Sequence, residues 1–124
     1  MTAYATASPA AYKQQSIMTA TPGRLVVMLY DGAIRFLFQA AAALREGVTP
    51  TANERLDRGE AIVDHLLATL DMSAGQIAER LEGIYVFSKR LLMEARLEKD
   101  AGKIDLVRGY LAELRESWAQ IAGS

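Results

Sequence analysis

His65 is the only histidine in the chain, and its chemistry would be phosphoryl transfer. Phosphotransfer bundles place a lysine and a glycine shortly after their phosphorylated histidine. Here the sequence continues Leu-Leu-Ala-Thr, which supplies neither residue. The pattern therefore favours an ordinary, partly exposed helix position for His65, and a histidine phosphotransfer-type bundle is kept as an alternative.

Metal and thiol chemistry have no donor set in this sequence. A di-metal carboxylate bundle needs Glu-x-x-His on two helices and further inward glutamates, whereas Glu60 and Asp64 lack that spacing around the single histidine. There is no cysteine, so disulfides, thiol catalysis and the usual structural zinc sites are excluded. No glycine-rich phosphate loop or nucleophile elbow occurs. We predict no catalytic, cofactor-binding or metal-binding residues, and a binding protein instead of an enzyme.

The stretch 25–44 is the apolar centre of the sequence. Its strongly polar residues, Asp31, Arg35 and Gln39, lie four apart and form one narrow stripe on a helix. The apolar face of an ordinary surface helix is only somewhat wider than ~100°. The stretch is long enough to cross a bilayer, but each of the two charges in its middle would cost several kcal/mol there. With no secretory signal pattern at the N-terminus, we expect a soluble, cytoplasmic protein without membrane insertion.

Composition and periodicity predict an all-α, antiparallel four-helix bundle. The 124 residues suffice for one domain with one core, and a net charge of −1 gives no general attraction to nucleic acid. The predicted helices cover approximately 22–46, 51–71, 73–99 and the stretch after 102. Thr21 is expected to cap the first, and capping-box spacings open the second (Thr51, Glu54) and the third (Ser73, Gln76).

Each later helix has an apolar stripe on its predicted buried side. The second contributes Leu56, Val63, Leu67 and Leu70, flanked by Ile62 and Leu66. The third contributes Ile77, Leu81, Ile84, Tyr85, Leu91, Leu92 and Ala95. The fourth has a heptad seam of Ile104, Val107, Leu111, Leu114, Trp118 and Ile121.

The first helix carries more apolar surface than one bundle stripe requires, and such surface usually marks a partner site. A groove for an amphipathic helix is one interpretation, and a homodimer that buries the same surface is another. Residues 1–20 are predicted to form a weakly structured arm, with 21–124 as the bundle. Tyr12 and Ile17 could latch this arm onto the groove.

Two motifs give the chain a family resemblance. Thr19-Ala20-Thr21-Pro22 is followed by Met28-Leu29-Tyr30-Asp31-Gly32-Ala33-Ile34, and this run closely resembles the opening of the bacterial flagellar export chaperone family FliS. Leu70-Asp71, Gly75-Gln76-Ile77-Ala78 and Trp118 fall where the family has similar residues, so the resemblance covers nearly the whole chain. Thr21 departs from the serine that the family usually has before the proline.

The resemblance implies a cytoplasmic four-helix bundle that binds the disordered C-terminal segment of flagellin. It implies that the chaperone prevents early polymerisation and helps to deliver flagellin to the export gate protein, without cofactor or catalysis. Flagellin would displace the N-terminal arm, chiefly along helices 1 and 3. The partner-binding residues expected on this basis are Tyr12, Ile17, Leu29, Tyr30, Ile34, Phe38, Tyr85 and Phe87.

Overall fold

Four α-helices and no strand make up the part of the chain that the computed structural model describes, residues 22–122. They are α1 (Pro22–Arg45), α2 (Thr49–Ala68), α3 (Gln76–Glu98) and α4 (Ala101–Ala122), with a short 3₁₀ turn at Met72–Ala74 between α2 and α3. The predicted all-α four-helix bundle is confirmed. The predicted arm, residues 1–20, and the Thr21 cap lie outside the described residues.

The helices follow one another around the bundle, so that α1 and α3 lie on a diagonal and each packs against α2 and α4. Ion pairs show the antiparallel arrangement. Arg45, at the end of α1, contacts Asp105 at the start of α4, with 2.5 Å between Nη2 and Oδ2. Arg96, near the end of α3, contacts Asp57 near the start of α2 at 2.9 Å.

Small residues allow α1 and α2 to approach each other closely. A Cβ added at Gly59 of α2 would lie 2.8 Å from Cδ2 of the buried Leu37, and one added at Gly32 of α1 would lie 3.2 Å from Cδ1 of Ile62. Both distances are shorter than ordinary van der Waals contact, so only glycine fits without some movement of the neighbour. Gly32 therefore makes a close approach between the two helices, and Gly59 makes a tighter one.

The core runs along the bundle axis and takes residues from all four helices. Tyr30, Leu37, Leu56, Leu92 and Ile104 are among its fully buried large side chains. Partly buried side chains surround this core on α1 and α4, including Leu29, Ile34, Leu114 and Trp118. Burial of this much apolar surface is the main stabilising contribution to such a fold.

The predicted helix starts are wrong for α2 and α3, although the helices themselves are present. Helix α2 begins at Thr49, and Pro50 lies in its first turn, where a missing N–H has no cost. The capping-box spacing of Thr51 and Glu54 therefore predicted a start two residues too late. At α3, the Asp71 carboxylate instead accepts a hydrogen bond from Ser73 N–H at 3.0 Å and caps the 3₁₀ turn.

The predicted apolar stripes are correct in the middle of the helices and wrong at several edges. On α2, Leu66 is buried, whereas Leu67 is only partly buried. At the start of α3, Ile77 is 66% exposed while the neighbouring Ala78 is buried. At the end of α4, Ile121 is 70% exposed. These positions lie near helix ends, where fewer neighbours can cover a side chain, so helical periodicity alone does not determine their burial.

Helix α1 is the one described helix whose length and composition would allow it to cross a membrane. In the structure it is the central helix of the bundle, with Val27, Tyr30, Ala33, Leu37 and Ala40 all buried. Its Asp31 accepts hydrogen bonds from Arg115 of α4, with 2.8 Å between Oδ1 and Nε. Burial against the other helices accounts for its apolar character.

Candidate binding surface

One apolar depression opens at the end of the bundle where α2, the 3₁₀ turn and α3 meet. Its volume is about 240 Å³. Apolar side chains from all four helices line most of it, with Thr69 and Asp71 as the polar members. The apolar lining consists of Val26, Leu66, Leu70, Ala74, Ile77, Ala78, Leu81, Tyr85 and Trp118.

The turn between α2 and α3 creates this depression. Helix α2 ends at Ala68, and the chain needs residues 69–75 to reach α3. Gly75 adopts a positive φ of 77° immediately before α3, a conformation that glycine adopts at little cost. Four residues of this segment, Thr69, Leu70, Asp71 and Ala74, line the depression, so the segment forms part of its wall.

A second depression lies in the groove between α3 and α4, with a volume of about 270 Å³. Ile84 and Phe87 of α3 and Tyr110 and Leu114 of α4 form its apolar wall, and Glu113 lies on its rim. The Phe87 and Tyr110 rings are tilted by 36°, with their centroids 6.2 Å apart. Leu81 and Ile84 lie one helical turn apart, as do Leu114 and Trp118, so the two depressions are neighbours along α3 and α4.

Beneath the first depression, two buried tyrosines connect α1 with α3. The hydroxyls of Tyr30 and Tyr85 share a hydrogen bond, and the two residues are 0% and 2% exposed. Burial raises the pKa of both phenols, since the ionised form would lose its hydration. Both hydroxyls are therefore neutral at ordinary pH, and one donates its hydrogen bond to the other.

Metal binding and histidine chemistry have little support in residues 22–122. Among them, no cluster of three or more histidine, cysteine, aspartate or glutamate side chains could hold a metal ion. His65 lies exposed near the end of α2. What the arrangement offers is apolar surface in two adjacent depressions, which suits a partner with apolar side chains.

Comparison with known proteins identifies the family. The chain matches the family described as "Flagellar protein FliS" over residues 4–124. It is 36% identical over 111 residues to the flagellar secretion chaperone FliS of Salmonella typhimurium, a match that covers 88% of this chain and 82% of that protein. The chaperone of the same name from Bacillus subtilis is 34% identical over 110 residues, covering 89% and 82% respectively.

The chain belongs to the FliS family. A third relative, the flagellar secretion chaperone FliS of Vibrio cholerae, is 34% identical over 116 residues and is matched over 85% of its length. The resemblance inferred from the sequence is thus confirmed. The family is one of chaperones in flagellum biogenesis and protein export, and chaperones are not enzymes.

The structure places the residues expected to bind the FliS partner in different surroundings. Phe87 is 45% exposed and lines the second depression. Tyr85 lines the first depression but is almost fully buried, and Tyr30 lies in the core beneath it. Leu29 and Ile34 are partly buried and pack against the core.

Phe38 is exposed on α1, where the Arg108 guanidinium of α4 lies 5.0 Å from its ring centroid. It lines neither depression. Tyr12 and Ile17 lie outside the described residues. Partner contact at these predicted positions stays a prediction.

Helices α1 and α3 lie diagonally across the bundle, but both contribute to the first depression, with Val26 from α1 and Ile77 and Tyr85 from α3. Helix α4 contributes to both depressions. Partner contact along helices 1 and 3 stays a prediction. Sequence reasoning missed Val26 and Trp118 as lining residues. The heptad pattern predicts Trp118 only as a residue on the buried side of α4. Periodicity does not reveal that a residue near the end of such a pattern borders a depression.

Proposed function

We propose that this protein is a cytoplasmic chaperone for flagellin, which binds the disordered C-terminal segment of flagellin and delays its polymerisation before export. The observation that carries the proposal is the pair of adjacent apolar depressions along α3 and α4 in a member of a secretion-chaperone family. An amphipathic helix can anchor its apolar side chains in such depressions. Affinity would come from the buried apolar area, reduced by the cost of ordering the segment.

The N-terminal arm, residues 1–20, would compete for the same surface. Helix α1 begins at Pro22, and Val26 in its second turn lines the first depression, so a segment preceding Pro22 starts close to that opening. In this proposal Tyr12 and Ile17 occupy apolar surface in the free protein, and flagellin displaces them. Tyr12→Ala and Ile17→Ala should then tighten flagellin binding instead of weakening it.

Trp118 allows a direct test, because it is the only tryptophan in the chain and it lines the first depression. A tryptophan-free synthetic peptide covering the C-terminal segment of the same organism's flagellin is titrated into the protein while Trp118 fluorescence is recorded. Calorimetry of the same titration gives stoichiometry and heat-capacity change. We expect one-to-one binding, a change in Trp118 emission and a negative heat-capacity change.

Two substitutions on α3 form a matched pair for this titration. Ile77 is 66% exposed and lines the first depression, whereas Leu97 is 75% exposed and lines neither. Ile77→Asp should weaken peptide binding strongly, and Leu97→Asp should not. Equal effects of the two substitutions would contradict the proposed location of the site.

Delivery of the complex to the export gate protein is the second part of the proposal. The protein should bind the cytoplasmic domain of that gate protein only when flagellin is present, which pull-down with and without the peptide would measure. A self-associating bundle is the competing interpretation. Sedimentation velocity over a range of protein concentrations, with and without the peptide, distinguishes it, since a self-contained dimer would change size with concentration and would not respond to the peptide.

A further inference from the structure

Tyr85 borders both the first depression and the buried core. It lines the first depression, while its hydroxyl shares a hydrogen bond with Tyr30 in the core. Tyr30 is fully buried and is not among the lining residues. The lining of the depression is therefore connected to the centre of α1 through one hydrogen bond across the bundle diagonal.

Trp118 also borders both the depression and the core. It lines the first depression from α4 and packs against the buried cluster that contains Tyr30. Ser88, one turn along α3 from Tyr85, does not hydrogen-bond to either tyrosine, because its buried Oγ has no hydrogen-bond partner. The hydrogen bond between Tyr30 and Tyr85 thus joins the lining of the depression to the core.

We propose that Tyr30 is a positioning residue for the partner site, whose hydroxyl holds the Tyr85 hydroxyl inside the core and so keeps the lining of the depression apolar. The identity of the partner rests on the function proposed above. A buried hydroxyl without a partner loses its hydration and gains nothing in return. Without the Tyr30 oxygen, the Tyr85 hydroxyl turns towards the depression, where it reaches solvent and makes the lining polar.

This assignment predicts a suppressor relationship between two conservative substitutions. In Tyr30→Phe the Tyr85 hydroxyl loses its partner, and an apolar ligand should bind roughly five- to tenfold more weakly, the effect expected of one unpaired polar group. In Tyr85→Phe the lining stays apolar, because residue 85 then carries no hydroxyl. That variant should bind within about twofold of the wild type. The double variant should recover most of the affinity lost in Tyr30→Phe.

The experiment uses the full chain, well below its melting temperature, so that all variants are folded. The dissociation constant of the synthetic flagellin C-terminal peptide is measured by calorimetry for the wild type, both single variants and the double variant. Ile104→Val is the matched control, because Ile104 is fully buried and lines neither depression. It should lower the melting temperature without changing the dissociation constant.

A second measurement needs no flagellin. In the free protein, Trp118 emission should shift to longer wavelength in Tyr30→Phe and stay near that of the wild type in Tyr85→Phe. The apolar dye 1-anilinonaphthalene-8-sulfonate should bind Tyr30→Phe more weakly, and the double variant should regain that binding. A merely structural role for Tyr30 would lower the melting temperature without this suppression.

The outcomes separate the two proposals. The positioning role is overturned if Tyr30→Phe binds peptide and dye as the wild type does, or if Tyr85→Phe fails to restore binding in the double variant. If the wild type does not bind the peptide at all, the flagellin proposal fails, and Trp118 emission and dye binding still decide the role of Tyr30.

Discussion

The close contact between α1 and α2 at Gly59 leads to a prediction of opposite effects for the same chemical change. A Cβ at residue 59 would lie 2.8 Å from Leu37 Cδ2, 3.1 Å from Leu37 Cγ and 3.7 Å from Phe36 Cβ. Leu37 is fully buried, so it cannot move aside into solvent. At Gly83, on the exposed face of α3, a Cβ would meet no atom within 4 Å.

The magnitude follows from two terms. Replacing glycine by alanine inside a helix stabilises it by roughly 0.5–1 kcal/mol, and this term applies at both positions. Overpacking a close-packed interior costs about 1–3 kcal/mol, and this term applies at Gly59 alone. Gly83→Ala should therefore raise the free energy of unfolding, whereas Gly59→Ala should lower it. The difference between the two variants isolates the steric term of about 1–3 kcal/mol.

Urea denaturation followed by circular dichroism measures both free energies, and thermal melting gives a parallel reading. Gly59→Ala combined with Leu37→Val should recover part of the loss, because the shorter side chain removes the clashing Cδ2 atom. Should Gly59→Ala prove as stabilising as Gly83→Ala, α1 and α2 would not approach each other as closely as described.

Three further predictions concern other buried and exposed groups. Ser88→Ala should stabilise the protein by about 1 kcal/mol, since it removes a buried hydroxyl without a partner and introduces a better helix former. Urea denaturation measures this change. A loss of stability would instead indicate that Ser88 makes a hydrogen bond. Because burial raises the pKa of Tyr30 and Tyr85 in the folded state, the contribution of these two tyrosines to stability should be constant below about pH 10, where unfolded tyrosine begins to ionise, and should fall as the pH rises further. Melting curves between neutral and alkaline pH test this, and the fall should be smaller in the Tyr30→Phe, Tyr85→Phe double variant. His65→Gln should leave the calorimetric affinity for the flagellin peptide unchanged, whereas a phosphotransfer protein would lose its function.

Helix number, order and central bounds were predictable from the sequence because they depend on local periodicity. The heptad seam of α4 correctly gave Ile104, Val107 and Leu111 as buried. These features need only the geometry of one helix and the tendency of apolar surface to leave water.

Helix starts were less predictable, because several residues can satisfy the same free N–H groups. The Ser73 and Gln76 spacing fits a capping box, yet the Asp71 carboxylate accepts from Ser73 first and forms the 3₁₀ turn. At α2, no side chain caps the helix, and Val48 occupies the cap position. Sequence spacing does not show which of two competing caps prevails.

The two apolar depressions were the least predictable feature, since they depend on how the helices pack in three dimensions. The sequence indicated excess apolar surface, chiefly on the first helix, but not where that surface forms a depression. From the sequence alone, Tyr30, Tyr85 and Phe87 look equivalent, because each is an aromatic residue on an amphipathic helix. Only the three-dimensional arrangement shows that the two tyrosines bond to each other in the core while Phe87 faces a depression.

The unequal packing of the four helices has a consequence for hydrogen exchange. Helix α1 lies close to α2 and α4 along its length, whereas α3 makes far fewer close backbone contacts with its two neighbours and borders both depressions. Elements with fewer tertiary contacts open locally at lower free energy. The amides of α3 should therefore exchange faster than those of α1, and partner binding should slow exchange in α3 most. Helix α3 would then shift to accommodate different side chains of the bound segment, while α1, α2 and α4 keep their arrangement.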